Sequence, residues 1–310
     1  MTRHPIDTWI AKTLRQQPPR AKSLVMTVFG DAITPRGGSV WLGSLIALLA
    51  PLGISERLVR TSVYRLVDEG WLEASRSGRR SQYRLSPQGE KRFLRAHQRV
   101  YAPSAQAWDG RWTLVCLQSE ASNTQKLALK KELLWEGLAQ LAPGVFAYPG
   151  NKHDALADLL TRTGMTGKVI VLSSTDAGLP GVLPMSGMAS QAWSLAEAGK
   201  TYRKFIARFG ELEKILAQAG RLEPPMAFTL RTLLIHEYRR ALLHDPQLPS
   251  ALLGNDWPGD QAYALCKSLY LALEKQADKQ VALTLSEEQD EVPPIAPKFA
   301  NRFRQNARNT

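Results

Sequence analysis

An α+β fold in three parts is predicted by three observations along this 310-residue chain. Apolar residues recur at helical spacing as far as residue 69, and after Leu72 the period drops to two across a short basic hairpin. From Arg111 a strand–helix–strand–strand–helix–strand order follows, and beyond residue 189 only helical periodicity remains. These features read as a winged helix-turn-helix over 1–102, a ferredoxin-like α/β domain over 103–180 and a helical domain over 181–285. The aperiodic tail over 286–310, first acidic, then proline-rich, then basic, is expected to be disordered.

Ile6, Trp9, Ile10 and Leu14 place a short amphipathic helix over 5–16, stopped by Pro18-Pro19. Ala21 to Asp31 predicts a second helix, and Pro35 to Gly38 a turn. Ser39 then caps a helix through Val40, Trp41, Leu45, Ile46 and Leu49, which Pro51-Leu52-Gly53 breaks. Ser55 caps the next helix by accepting an otherwise orphaned backbone N–H, Glu56 suits its positive end, and Gly70 ends it in the left-handed conformation. One face of that helix (Val59, Ser62, Val63, Leu66) is small and apolar. The opposite face carries Arg57, Thr61 and Tyr64, flanked by Arg60 and Arg65. Two strands through Leu72-Ala74 and Ser81-Tyr83-Leu85 enclose a turn with Arg76, Arg79 and Arg80, and Ser86-Pro87 opens a helix to about Tyr101.

A helix glued by one side and offering guanidiniums and hydroxyls on the other suits the major groove of DNA. A solvated basic surface is the plain alternative. Against it stand the tight turn before the helix, the basic hairpin after it, and the charge distribution. Residues 1–100 hold 17 Lys/Arg against 7 Asp/Glu, the remainder 23 against 21, so nearly all of the net +12 sits in the first third. That skew points to a polyanion partner for one module. Arg57, Thr61 and Tyr64 are the base-facing candidates, Arg60, Arg65, Arg76, Arg79 and Arg80 the phosphate-facing ones, and Ser55 at the helix start is counted with the DNA-binding residues.

Pro103 to Gly110 reads as a linker. Trp112–Leu117 is a buried strand, 124–138 a helix, Gln140-Leu141 and Val145–Tyr148 strands, Lys152–Leu160 a helix and Val169–Leu172 a strand. After a Gly/Pro/Ser-rich connector at 174–187, helices are expected near 189–209, 210–219, 226–243 and 258–277. His236 has no second histidine four residues away, and His244-Asp245 reads as a loop contact, so no metal and no cofactor are expected. Cys116 and Cys266 read as reduced, buried thiols. With neither signal peptide nor a spanning run, the chain is expected to be cytoplasmic.

Several stretches together resemble the repressor family of the phenylacetate-degradation operon, PaaX. They are Arg36-Gly37-Gly38 with Trp41 to Leu45, Glu56 with Val59-Arg60-Thr61, Glu69 to Leu72, and Gly78 to Ser81. Downstream come Trp108-Asp109-Gly110 with Trp112, Leu233 to His236 with Tyr238-Arg239-Arg240, Asp245-Pro246 with Leu248-Pro249, and Trp257 with Gly259. The match runs in order over about residues 5–280. The resemblance implies a winged-helix repressor with a Cas2-like central domain and a helical C-terminal domain, released from operator DNA by an acyl-CoA effector, phenylacetyl-CoA or a relative. Because one short helix reads too few base pairs, a homodimer on double-stranded DNA is expected. Such an effector needs cations beside an apolar cleft; Arg203, Lys204, Arg231, Arg239 and Arg240 are the candidates in the helical region. The alternative is a nuclease or acyl-CoA-processing enzyme with a DNA-targeting domain. Against the nuclease, the first central strand ends at Gln118-Ser119-Glu120 without the aspartate of Cas2-type nucleases.

Overall fold

The computed structural model describes residues 4–102, 108–118, 121–243 and 245–304. In chain order the elements are α1 (Pro5–Gln16), α2 (Ala21–Val28), β1 (Ser39–Trp41), α3 (Leu42–Leu49), α4 (Glu56–Asp68), β2 (Leu72–Ser77), β3 (Arg80–Leu85) and α5 (Pro87–Tyr101). There follow β4 (Trp112–Leu117), α6 (Asn123–Trp135), β5 (Ala139–Ala142), β6 (Val145–Pro149), α7 (His153–Arg162) and β7 (Val169–Ser174). The last are α8 (Met185–Ala192), α9 (Leu195–Gln218), α10 (Pro224–Leu242), α11 (Gly259–Ser286) and α12 (Pro297–Ala300).

Two compact units emerge, and they do not follow chain order. One gathers residues 1–103, 202–241 and 259–310; the other gathers 104–201 and 242–258. In the first, β1, β3 and β2 form an antiparallel sheet in that order. Here the sequence expectation fails locally. Ser39–Trp41 is a strand, registering Val40 opposite Tyr83 and Trp41 opposite Gln82, and the helix begins only at Leu42. Three extended residues gain ladder partners 41 to 45 positions away, which local periodicity cannot reveal. The predicted helix 21–31 also continues past α2 as a π-helical turn, Phe29–Ile33, which sinks Asp31 into the interior.

The expected disorder of the tail is corrected through Arg304. Phe299 and Phe303 are buried, and Phe303 stands edge-on to Tyr101 and tilted beside Tyr263 and Tyr270, centroids 5.1–5.6 Å apart. Aromatic burial of this kind more than offsets the entropy of ordering a short segment. Residues 305–310, with Arg308, lie outside the described residues. Two helix boundaries also move. Ser194 (φ +50°) separates α8 from α9, while Gly210 interrupts nothing and α9 is a single 24-residue helix.

The second unit is a four-stranded antiparallel sheet in the order β5-β6-β4-β7, the expected ferredoxin-like topology. Leu129 and Leu133 of α6 and Leu156 and Leu159 of α7 cover one face, over Val115 and Phe146. Trp112, Ala139 and Ala147 face the other way and pack under Ala189 and Trp193 of the α8 segment and Leu248. Trp193 donates to the Gly137 carbonyl at 2.8 Å. Of the expected linker, 103–107 lies outside the described residues, whereas Trp108 packs edge-on against Trp112 at 5.1 Å.

Candidate nucleic-acid interface

α4 is built as its sequence directs, with one exception. Val59, Ser62, Val63 and Leu66 are buried, while Arg57, Arg60, Thr61, Tyr64 and Arg65 are exposed. Gly70 at φ +71° closes the helix: its N–H bonds the Val67 carbonyl, and Trp71 N–H the Leu66 carbonyl at 2.8 Å. The exception is Ser55. It holds the N-cap position with extended dihedrals, yet its hydroxyl makes no capping bond. The first turn is instead held by the Ser55 carbonyl, which accepts from Val59 N–H at 3.0 Å. Between α3 and α4 the chain turns through a 3₁₀ turn, Ala50–Leu52, and through Gly53 at φ +77°, where a side chain would be strained.

The exposed side chains of α4 are not equivalent. Arg60 is engaged by Glu56 one turn back, at 2.7 Å, whereas Arg57 and Arg65 have no ion-pair partner among the described residues. Thr61 spends its hydroxyl hydrogen on the Arg57 carbonyl at 2.9 Å, so toward a ligand it offers lone pairs. Tyr64, 74% exposed, stands out from the helix.

The wing follows directly. β2 and β3 pair in strict register from Leu72–Leu85 to Ser77–Arg80, so the turn is only Gly78-Arg79, with Gly78 at φ +59°. Arg76 and Arg80 therefore lie on the strands and Arg79 at the tip, all three exposed. Arg84 bridges to Glu73 at 2.8 Å across the hairpin, and the Arg80 guanidinium sits 5.6 Å from the Trp41 ring centroid. The first contact steadies the wing toward its base and the second next to its turn, while Arg79 at the tip stays exposed.

Behind this surface lies a buried ionic cluster that the sequence did not announce. Asp31 accepts from Tyr101 Oη at 2.6 Å, Tyr270 Oη at 3.0 Å and Arg302 Nη1 at 3.1 Å. Arg231 Nε stands 2.9 Å from its other oxygen, as an ion pair lacking hydrogen-bond alignment, and Arg231 also binds Asp278 at 2.8 Å. Burial pushes the Asp31 carboxyl up, but Arg231, Arg302 and the two tyrosine hydroxyls outweigh it and hold the pKa below the ordinary value. This corrects one effector candidate: Arg231 is wholly buried and committed to Asp31 and Asp278.

The remaining cations divide. Arg239 donates to Thr27 Oγ1 at 2.8 Å and helps line a cavity of about 20 Å³, room for one water, with Gly30, Phe93, His97 and Tyr101. Arg240 pairs with Glu237 at 3.1 Å, and Arg203 and Lys204 are exposed on α9. His236 shares a 3.1 Å hydrogen bond with Thr27; burial, then Arg239 and Arg240, lower its pKa to about 3. His97 is lowered to about 4 by burial and by Arg302. His244, Ser119 and Glu120 lie outside the described residues. Cys266 is buried and Cys116 half-buried, both free. Among the described residues no group of His, Cys, Asp and Glu could hold a metal ion, and no helix is long and apolar enough to cross a membrane.

Comparison with known proteins agrees with this architecture piece by piece. Residues 20–89 match the family model described as PaaX-like protein, 105–181 the PaaX protein central Cas2-like domain, and 193–282 the PaaX-like protein C-terminal domain. The transcriptional repressor PaaX of Escherichia coli K12 is 40% identical over 270 residues, 86% of this chain and 84% of that protein. A solved structure, the uncharacterized protein Rv0674 from Mycobacterium tuberculosis, aligns at 26% identity and a TM-score of 0.48, covering 76% of this chain and 89% of that one. With three successive family models matched in order and that relative alongside, the chain belongs to the PaaX-like protein family.

Proposed function

We propose that this protein is a transcriptional repressor of genes for phenylacetate catabolism, which binds double-stranded operator DNA through α4 and the β2–β3 wing. The observation that carries the reading is the pairing of a fully outward Arg57–Thr61–Tyr64 face with an arginine-tipped hairpin, on the third of the chain that holds almost all its excess positive charge. Arg57, Thr61 and Tyr64 reach base edges, with the Ser55 hydroxyl, free of capping duty, beside them. Arg65, Arg76, Arg79 and Arg80 hold phosphates. Arg60 joins them only on leaving Glu56. One 13-residue helix reads too few base pairs for a unique site, so the protein acts as a homodimer on a pseudo-palindrome. The relative at 40% identity is named a transcriptional repressor, which supports a regulator and sets the enzyme reading aside.

The effector in this reading is an acyl-CoA, phenylacetyl-CoA or a close relative, binding the DNA-incompetent arrangement more tightly than the competent one. Arg203, Lys204, Arg239 and Arg240 are its candidate cations. Footprinting the DNA upstream of the protein's own gene and of aromatic-acid catabolic genes, with and without a panel of acyl-CoAs, tests both halves. A protected palindrome released by phenylacetyl-CoA supports the reading. Turnover of DNA or thioester, abolished by a mutation in residues 104–201, would replace it with the enzyme. Protection without release by any thioester would leave the repressor and remove the effector.

A further inference from the structure

The tail does something at α3 that its composition does not explain. Glu288 arrives from 244 residues away and places Oε2 2.5 Å from the Ser44 backbone N and 2.6 Å from Ser44 Oγ. Ser44 lies in the first turn of the eight-residue helix α3, where free N–H groups and the helix dipole favour an anion. The approach is close enough that a Cβ on the neighbouring Gly43 would fall 2.5 Å from Glu288 Oε1. The carboxylate is tethered on both sides. Before it, α11 ends at Ser286; after it, Ala296 N–H bonds the Pro35 carbonyl at 2.8 Å, and Phe299 and Phe303 are buried. Between these anchors Glu287, Asp290 and Glu291 are exposed, which makes an acidic strap.

The start of α3 lies on the side of the wing arginines. Trp41, immediately before α3, registers with Gln82, two residues from Arg80, whose guanidinium sits over the Trp41 ring. α3 is the first helix of the helix-turn-helix, the one that crosses the DNA backbone in this motif, and helix N-termini are common phosphate ligands there. We propose that Glu288 occupies in cis the site at Ser44 that a DNA backbone phosphate takes in the complex, so that the acidic strap competes with DNA and lowers its affinity. The proposal rests on the DNA-binding reading above. Tethering gives the carboxylate a high effective concentration, so DNA must displace it before the Ser44 N–H and hydroxyl can donate to a phosphate. Because phosphates carry no sequence, the strap tunes affinity for all DNA alike.

The test uses the full chain, a labelled mixed-sequence duplex at low salt, and fluorescence anisotropy, with the thermal midpoint of each variant read in parallel. Glu288→Gln keeps the shape and removes the charge. It should bind about tenfold more tightly, the equivalent of one charge-assisted hydrogen bond. Glu287→Gln changes the net charge identically on an exposed neighbour and should leave affinity within about twofold of wild type. Adding Ser44→Ala to Glu288→Gln should remove most of the gain. Should Glu288→Gln not fold, Glu288→Asp, which keeps the charge but shortens the reach, should give a smaller gain in the same direction. Unchanged or weaker binding by whichever variant folds makes the contact a helix cap only and overturns the proposal; so does an equal gain from Glu287→Gln. If affinity is unmoved by Glu288 variants yet collapses on Arg79→Ala, only the strap proposal falls. If no variant nor wild type binds duplex DNA, the DNA-binding reading falls and takes the proposal with it.

Discussion

Replacing Asp31 by Asn removes one negative charge from a site where two guanidiniums have already been desolvated. Arg231 and Arg302 are 0% and 1% exposed at their side chains, and Asp31 is the carboxylate both share. Asn matches the shape and can still accept from Tyr101 or Tyr270, so the loss is chiefly electrostatic. Arg231 retains Asp278, whereas Arg302 keeps no carboxylate among the described residues, only the Phe299 and Asp31 carbonyls and the Tyr101 and Tyr270 ring faces. Removing one partner of a buried pair costs roughly 3–5 kcal/mol, mostly the cost of leaving the other charge uncompensated. Urea denaturation followed by tryptophan fluorescence should show that loss as a lowered midpoint with unchanged slope. The double variant Asp31→Asn with Arg302→Met should then lose less than the two single variants together, because the orphaned charge is gone. An Asp31→Asn loss below about 1 kcal/mol, or simple additivity, would refute the claim that this carboxylate balances the tail's arginine.

Four other outcomes are expected. Arg57→Ala should weaken operator binding by about 1–3 kcal/mol and relax preference at one base position in a competition assay, whereas uniform weakening would reassign it to a phosphate. Arg79→Ala should weaken specific and non-specific duplexes alike and flatten the salt dependence by about one ion, as titrations in added salt will report. Phe303→Ala empties a site walled by Tyr101, Tyr263 and Tyr270 and should cost about 3–5 kcal/mol by the same urea assay. Acid should destabilise the fold in two stages. His97 and His236 stay neutral when folded, with pKa values lowered to about 4 and about 3, so between pH 6.5 and those values the unfolded chain binds protons the folded one refuses. Each histidine then removes up to about 1.4 kcal/mol per pH unit as pH falls. Asp31, with its pKa lowered, adds its loss only below the ordinary carboxylate value of 3.8. Midpoints measured across this range that stay flat above pH 4 would count against the histidine assignments.

Much of this was legible because it is local. The outward face of α4, its Gly70 stop, the hairpin and the ferredoxin-like strand order all follow from periods of 3.6 and 2 and from glycines at turns. What the sequence concealed is what distant residues do to one another. Three residues at Ser39 become a strand only because β3 accepts them. Arg231 looked like a ligand-binding cation because an arginine on a helix carries no sign of the two aspartates waiting for it. The tail reads as disordered because its anchors, Phe299, Arg302 and Phe303, are few and flanked by prolines and charge. The outward side chains of α4 could be read from the sequence because exposure follows helical phase; the candidate effector cations could not be narrowed, because a pocket has no period.

The reach of residues 296–304 into the first unit has a consequence for how the protein is made. When the winged helix leaves the ribosome, Asp31 has neither Arg231 nor Arg302, and the space later filled by Phe303 is open. Synthesis of nearly the whole chain must precede closure of the domain that was translated first. A chain clipped near Ser286 would lack Arg302 and Phe303, leaving Asp31 with one arginine fewer and the aromatic site beside Tyr101 and Tyr270 unfilled.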